Sequence, residues 1–288
     1  LMYVHVLPFW YQTQWAKIAT LVFIGLLIWL SVKVRTARLQ KRQDYLEEEV
    51  RKRTLSLQKA TDELATMSMT DPLTGMKNRR YLDQAMQYET TSVLERYQEQ
   101  TDETKRIDSS DLVFILIDID HFKRVNDKYG HQSGDAVLIE ITNRIRLIAR
   151  ETDHLIRWGG EEFLLIVRES SVERAEVIAE RLRQQIKETA IPLNKSTELK
   201  VTCSVGLCAF PLFARQPNNV DWLECVNLAD KALYSAKNSG RDAWISVKEN
   251  ESLLSDEIPA SFEEIEHEHV KIDSNLEQSR VDAHWKFS

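Results

Sequence analysis

The run Arg157-Trp158-Gly159-Gly160-Glu161-Glu162-Phe163 sets two glycines and two adjacent carboxylates at one bend between apolar segments. Glycine takes positive φ without steric cost, so Gly159-Gly160 suits a hairpin turn whose glutamates face solvent. The same bare backbone would let a large ligand approach, with Glu161 and Glu162 directed to opposite sides of the extended chain that follows. A second acidic group, Asp118-Ile119-Asp120, ends the apolar run Leu112-Val113-Phe114-Ile115-Leu116-Ile117. Acids at the end of a buried strand are costly unless paired or metal-bound. If the hairpin pairs beside this strand, Glu161 approaches Asp118, and two hard carboxylate oxygens suit a Mg²⁺ ion that also takes oxygens from substrate phosphates. A salt bridge from Asp118 to a lysine or arginine is the alternative. Downstream, Asn126 and Asp135 flank a glycine-containing turn. Either suits a helix cap, and together they could bond a purine edge, the carboxylate accepting from N1–H and the exocyclic amine of guanine.

These side chains need a scaffold. The pattern predicts helices over 79–98, 134–150, 172–189 and 220–239, strands over 112–117, 201–210 and 244–247, and a hairpin on either side of Gly159-Gly160. The economical architecture is an α+β sheet covered by helices. Residues 89–110 are polar and weakly periodic and read as a helix extension plus a mobile insertion.

The chain has 288 residues, 43% apolar and 29% charged, which suits one good-sized domain with appendages. Its formal charge of −7 is concentrated in residues 249–288, where eleven acids face three basic residues; the remainder is close to neutral. No basic field for nucleic acid is present, and the acidic tail reads as disordered, with a short helix around 262–270. The three cysteines, Cys203, Cys208 and Cys225, lack zinc or disulfide spacing and fit a reducing compartment.

Residues 15–34 are almost continuously apolar and would reach about 30 Å as a helix, the thickness of a bilayer core. Trp10, Tyr11 and Trp15 lie at one end, and Lys33, Arg35, Arg38, Lys41 and Arg42 follow the other. This is the pattern of a transmembrane helix with everything after Val34 cytoplasmic. Leu46, Val50, Arg53, Leu57, Ala60, Leu64 and Met67 then recur at heptad spacing, which predicts a parallel coiled coil and a dimer. Thr70-Asp71-Pro72 breaks the helix, and Thr70 or Asp71 can cap the next element. With Leu1 in place of an initiator methionine, the sequence reads as the C-terminal part of a longer protein.

Taken together, the motifs resemble the GGDEF family of diguanylate cyclases, with Gly159-Gly160-Glu161-Glu162-Phe163 as a GGEEF form of the signature. The likeness includes Asp71-Pro72-Leu73-Thr74-Gly75 with Asn78-Arg79-Arg80, the run from Asp118 to Asp127, Gly130-His131 through Gly134-Asp135, and Ala229-Asp230-Lys231-Ala232-Leu233-Tyr234-Ser235-Ala236-Lys237 leading to Gly240-Arg241. The resemblance implies a palm-like α+β fold, similar to class III nucleotide cyclases, with a central, mainly antiparallel sheet flanked by helices. The implied activity condenses two GTP molecules into cyclic di-GMP and two pyrophosphates.

By position, Asp118, the carbonyl of Ile119 and Glu161 would hold Mg²⁺ or Mn²⁺, while Gly159-Gly160 would admit the triphosphate. Asn126 and Asp135 would read guanine beside Phe122, and Lys123, Lys237 and Arg241 would neutralise phosphate. Glu162 would assist the attacking 3′-hydroxyl. Arg150 and Asp153 form an R-x-x-D ahead of the signature, which with Arg181 would bind cyclic di-GMP as an inhibitor.

The implied organisation is the end of an extracytoplasmic sensor region over 1–14, a single inner-membrane span over 15–34, a signalling helix over 35–69, the bacterial cyclase domain over 70–248 and the tail over 249–288. The partners expected are GTP, cyclic di-GMP, a second copy of the chain and the membrane, and no nucleic acid. A catalytically silent domain serving as a GTP or cyclic di-GMP receptor is the alternative. Met76 and Asp242 depart from the usual leucine and asparagine without touching a metal or phosphate position.

Overall fold

The computed structural model describes residues 14–67, 69–99, 110–194, 197–253, 257–277 and 281. Its first unit is one uninterrupted helix, α1, Gln14–Met67. Phe23, Ile24, Leu26, Leu27, Ile28 and Trp29 are exposed all around it. Among the described residues, however, no helix is long and apolar enough to cross a membrane. The expected span over 15–34 therefore has no support in the structure, where this run is the start of the much longer α1, which continues through Lys33, Arg35 and Arg38. The aromatic flank at Trp10 and Tyr11 lies outside the described residues. Farther along, Leu46, Val50 and Leu57 of the heptad seam are exposed, and Arg53 is drawn aside to Glu49 at 3.2 Å. The side chains of Ala60, Leu64 and Met67 lie outside the description.

The second unit, Met69–Ser288, is built on a seven-stranded sheet. In chain order its elements are β1 (Lys77–Asn78), α2 (Arg79–Gln98), β2 (Asp111–Ile119), α3 (Phe122–Tyr129), α4 (His131–Ile148), β3 (His154–Arg157) and β4 (Glu162–Ser170). There follow α5 (Val172–Glu188), the small hairpin β5 (Ile191–Asn194) and β6 (Thr197–Leu199), β7 (Cys203–Phe210), α6 (Trp222–Asn238), β8 (Trp244–Glu249) and β9 (Val270–Ser274). The strand order is β1-β3-β4-β2-β7-β8-β9, with only β1–β3 and β7–β8 parallel.

All nine residues of β2 are buried, because helices cover both faces of the sheet. Period-two alternation then sorts its side chains: Leu112, Phe114 and Leu116 pack with α2 and α6, while Val113, Ile115, Ile117 and Ile119 pack with α3, α4 and α5. Gly206 on β7 faces α6 so closely that a Cβ there would lie 2.0 Å from the Ala229 carbonyl oxygen, so only glycine allows this strand and helix to meet.

The expected helices over 79–98 and 172–189 and the hairpin around Gly159-Gly160 are present. The helix expected over 134–150 starts earlier, at His131, and α3 precedes it as a separate eight-residue helix. The reading of 89–110 needs division: α2 continues to Gln98 with Glu89, Val93 and Tyr97 buried, so that part is core. Residues 100–109 lie outside the described residues.

The tail expected to be disordered is in part a strand. β9 pairs antiparallel with β8 from Ile245↔Ser274 to Glu249↔Val270. Two short 3₁₀ turns, Phe262–Glu264 and His267–His269, stand where a helix is expected. Ile258, Ile265, Val270, Ile272 and Val281 are buried in the same cluster as α6. Acidic composition concealed these apolar residues: Val270 and Ile272 alternate with Lys271 and Asp273, but the run is too short to stand out from the acidic tail around it.

Candidate active site

Asp118 continues the face of β2 that carries Leu112, Phe114 and Leu116, so it points toward α6. There Lys237, in the last turn of α6, places its Nζ 2.8 Å from Asp118 Oδ2. The structure thus shows the salt bridge considered as an alternative, with the Asp118 carboxylate buried and Lys237 partly exposed. Glu162 is the register partner of Asp118 across β2–β4 and shares its face. Glu161 precedes the strand, its carbonyl accepting from the Ile119 amide at 3.4 Å. Strand alternation therefore does not govern Glu161, whose carboxyl nonetheless feels the charges of Asp118, Lys237 and Glu162.

The electrostatics agree with one cluster. Burial pushes the Asp118 carboxyl above its usual range, with Asp120 adding to the rise, against the pull of Lys237 and Arg241. Burial and then the Asp118 charge do the same to Glu161 and to Glu162. Three carboxylates raised by burial and mutual repulsion, relieved by one ammonium, are a setting that favours a bound cation. Among the described residues no group of three or more His, Cys, Asp or Glu side chains could hold a metal by itself. Asp118, Glu161 and the Ile119 carbonyl offer hard oxygen donors that a substrate's phosphates and water would complete, which fits Mg²⁺.

Asp120 is excluded from that set. Its carboxylate accepts from Thr202 Oγ1 at 2.6 Å, Ser204 Oγ at 2.7 Å and the Asp242 amide at 3.0 Å, tying β2 to the chain before and within β7. The unusual Asp242 bonds Arg183 and Lys187 of α5, so its charge is structural.

The glycine bend is held by a residue to which sequence reasoning gave no role. The amides of Trp158 and Gly159 donate to the Glu162 carbonyl, closing the hairpin. Arg157 Nη1 reaches both carboxylate oxygens of Asp71 at 3.0 Å, and its Nη2 donates to the Gly160 carbonyl at 2.8 Å. Asp71 in turn accepts from the amide and hydroxyl of Thr74, so it caps its own turn, while Asn78 caps α2. One fork of hydrogen bonds thereby joins the start of the domain to the signature. Arg157 was visible beside the glycines, but its partner lies 86 positions away.

At the proposed base-reading end, Gly130 turns the chain between α3 and α4 at φ +83°. A Cβ built on Gly134 would lie 2.0 Å from Asn126 Oδ1 and 3.2 Å from Phe122 Cζ. Phe122, Asn126 and Gly134 are therefore in contact, and Asp135 follows, exposed, on α4. Gly134→Ala should keep the fold, because the flexible carboxamide can swing aside. It should displace Asn126 and weaken guanine-nucleotide binding about tenfold, and unchanged binding would mean that Asn126 does not read the base. Lys123 and Arg241 are exposed; Arg241 acts on Asp118 through its charge.

Arg150 is exposed beyond α4, whereas Asp153 is buried. Asp153 Oδ2 accepts from the Arg150 amide at 2.8 Å and Oδ1 from the Arg168 amide at 3.2 Å, so this acid shapes the loop that presents Arg150. Arg181 lines a cavity of about 490 Å³ with Glu176, Glu180 and Trp244, and no described contact joins it to Arg150.

Comparison with known proteins follows the same lines. The family described as "Diguanylate cyclase, GGDEF domain" matches residues 68–243. The chain is similar to diguanylate cyclase DgcP of Pseudomonas aeruginosa, 39% identical over 176 residues covering 61% of this chain and 23% of that protein. Among solved structures it is similar to diguanylate cyclase SiaD of the same species in complex with its activator SiaC, with a TM-score of 0.51, 32% identity and coverage of 79% and 80% of the two chains. It is also similar to the GGDEF domain of DgcB from Caulobacter crescentus in complex with c-di-GMP, with a TM-score of 0.51, 27% identity and coverage of 61% and 93%. The chain spans less than half the length of the first curated relatives it matches. Because the match runs from the turn at Asp71 through the carboxylate cluster to the end of α6, the chain belongs to the GGDEF diguanylate cyclase family.

Proposed function

We propose that this chain is a diguanylate cyclase that joins two GTP molecules into cyclic di-GMP and releases two pyrophosphates. The observation that carries the reading is the facing of Asp118 and Glu162 in register, with Glu161 beside them and Lys237 closing the cluster. Asp118, Glu161 and the Ile119 carbonyl would hold Mg²⁺, which when bound neutralises charge on the triphosphate and the transition state. Lys123, Lys237 and Arg241 bind phosphate oxygens, and the open backbone at Gly160 leaves room for them, while the Glu162 carboxylate lies against Gly159. Asn126 and Asp135 orient guanine. Glu162, its proton affinity raised by burial, takes the proton as the 3′-oxygen of one GTP bonds to the α-phosphorus of the other and pyrophosphate leaves. Positioning and charge stabilisation are what such a transfer requires of a protein.

Each domain supplies one such cluster, so the two reacting GTP molecules need two facing copies. The exposed seam of Leu46, Val50 and Leu57 supports a homodimer through α1. Exposed Arg150 supports inhibition by cyclic di-GMP at the R-x-x-D loop, with Asp153 shaping the loop. Residence at the bacterial inner membrane, with the catalytic unit cytoplasmic, rests on the apolar run and its basic flank in the sequence; recovery of the full chain in the soluble fraction of cells would overturn it.

The central test is conversion of GTP by the full chain with Mg²⁺ across protein concentration, with and without added cyclic di-GMP. Specific activity should rise as dimers form, and Arg150→Ala should relieve product inhibition while leaving the initial rate unchanged. Tight guanine-nucleotide binding by proven dimers without any product would make the domain a receptor instead.

A further inference from the structure

A cleft of about 560 Å³ opens beside α3, between the end of α5 and the chain linking β6 to β7. His121, Arg124, Val125 and Lys128 recur at helical spacing on its wall, whereas Phe122 and Asn126 turn toward Gly134. The cleft is therefore on a different face of α3 from the proposed guanine-reading residues. Val125, Leu199, Val201 and Tyr129 give it an apolar side.

Four long-chain cations line the same space: Arg124 and Lys128 one turn apart on α3, Lys187 from α5, and Lys200 after β6. Lys187 is engaged by Asp242 at 2.7 Å, and Lys128 lies over the Tyr129 ring at 4.8 Å from its centre. Among the described residues no carboxylate pairs with Arg124 or Lys200. Of the two lining acids, Asp120 is saturated by Thr202, Ser204 and the Asp242 amide, which leaves Glu188 alone against this charge.

We infer that this cleft binds a small organic phosphate with a planar or apolar body, such as a nucleoside monophosphate. Its volume falls in the range of small-ligand pockets and exceeds what a bare phosphate ion fills. Arg124 offers a planar fork for phosphate oxygens and Lys200 a point charge, while Tyr129 and Leu199 offer surface for a ring. Occupancy would stiffen α3 from the side opposite Gly134, and so bear on the helix that carries Asn126.

Titration calorimetry of the full chain with adenosine 5′-monophosphate tests the site. Saturable binding is expected, weakened at least about tenfold in the Arg124→Ala, Lys200→Ala double variant and unchanged in Asn126→Ala, Asp135→Ala. Inorganic phosphate should bind at least about tenfold more weakly, because it leaves the apolar side unfilled. Both altered side chains in the first variant are exposed, and a matching thermal melt confirms its fold. Absence of binding at millimolar ligand overturns the proposal. So does loss of binding in the Asn126, Asp135 variant with retention in the other, or equal affinity for inorganic phosphate. None of these outcomes depends on whether the chain makes cyclic di-GMP.

Discussion

Asp118→Asn is expected to lower the rate of cyclic di-GMP formation by about three orders of magnitude while the protein still folds, because the change removes a hard anionic oxygen from the centre of the cluster. Asparagine keeps the shape of the side chain inside the β2–β4 register, so Leu116, Ile117 and Glu162 stay in place. Lys237 loses its partner but is partly solvated, at 27% side-chain exposure, and can keep its charge. Removing one of three crowded carboxylates also relieves repulsion on Glu161 and Glu162, both of which are pushed upward by the Asp118 charge after burial. Their pKa values should therefore fall toward ordinary values, visible as a shift of carboxylate signals in NMR titrations of the metal-free protein. Turnover within tenfold of the parent would remove Asp118 from the catalytic machinery and with it the metal assignment.

A chain ended after Asn250 is expected to melt about 10 °C lower than the full chain and to aggregate on heating. β8 would become an edge strand with unpaired backbone groups along Ile245 to Glu249. The change would also uncover the apolar surface beneath Ile258, Ile265, Val270, Ile272 and Val281. Each such aliphatic side chain contributes about 1.5–3 kcal/mol when buried, from which the entropy of ordering the tail must be subtracted. A net loss of about 3–5 kcal/mol corresponds to roughly 10 °C in a domain of this size. The Lys248–Asp273 pair at 2.6 Å and the bond from the Trp244 amide to Asn275 Oδ1 at 2.8 Å are lost as well. Scanning calorimetry with light scattering measures the effect, and an unchanged melting temperature would mean that the tail docks without stabilising the unit.

Much of this protein was legible before any fold was known. The apolar run of β2 followed by acids, the glycine bend, and the helical periods over 79–98, 172–189 and 220–239 are local properties, set by side-chain alternation, glycine's conformational freedom and amphipathic spacing. They place Asp118 and the glutamates at strand ends without saying which strands are neighbours. Asn126 and Asp135 were likewise readable, because a short helix and a glycine turn separate them.

What only the tertiary structure decided depends on partners distant in sequence. The pairing Asp118↔Glu162 required the β2–β4 register, and the meeting of Asp118 with Lys237 required α6 to lie on one particular face of the sheet. The role of Arg157 required Asp71, and the structural use of Asp120 and Asp153 required donors from β7 and β4. An isolated acid in a sequence cannot say whether it faces a substrate or an amide. The same reason hid the tail: β9 has no strong pattern of its own, and its stability comes from an open edge and an apolar surface created by residues that precede it.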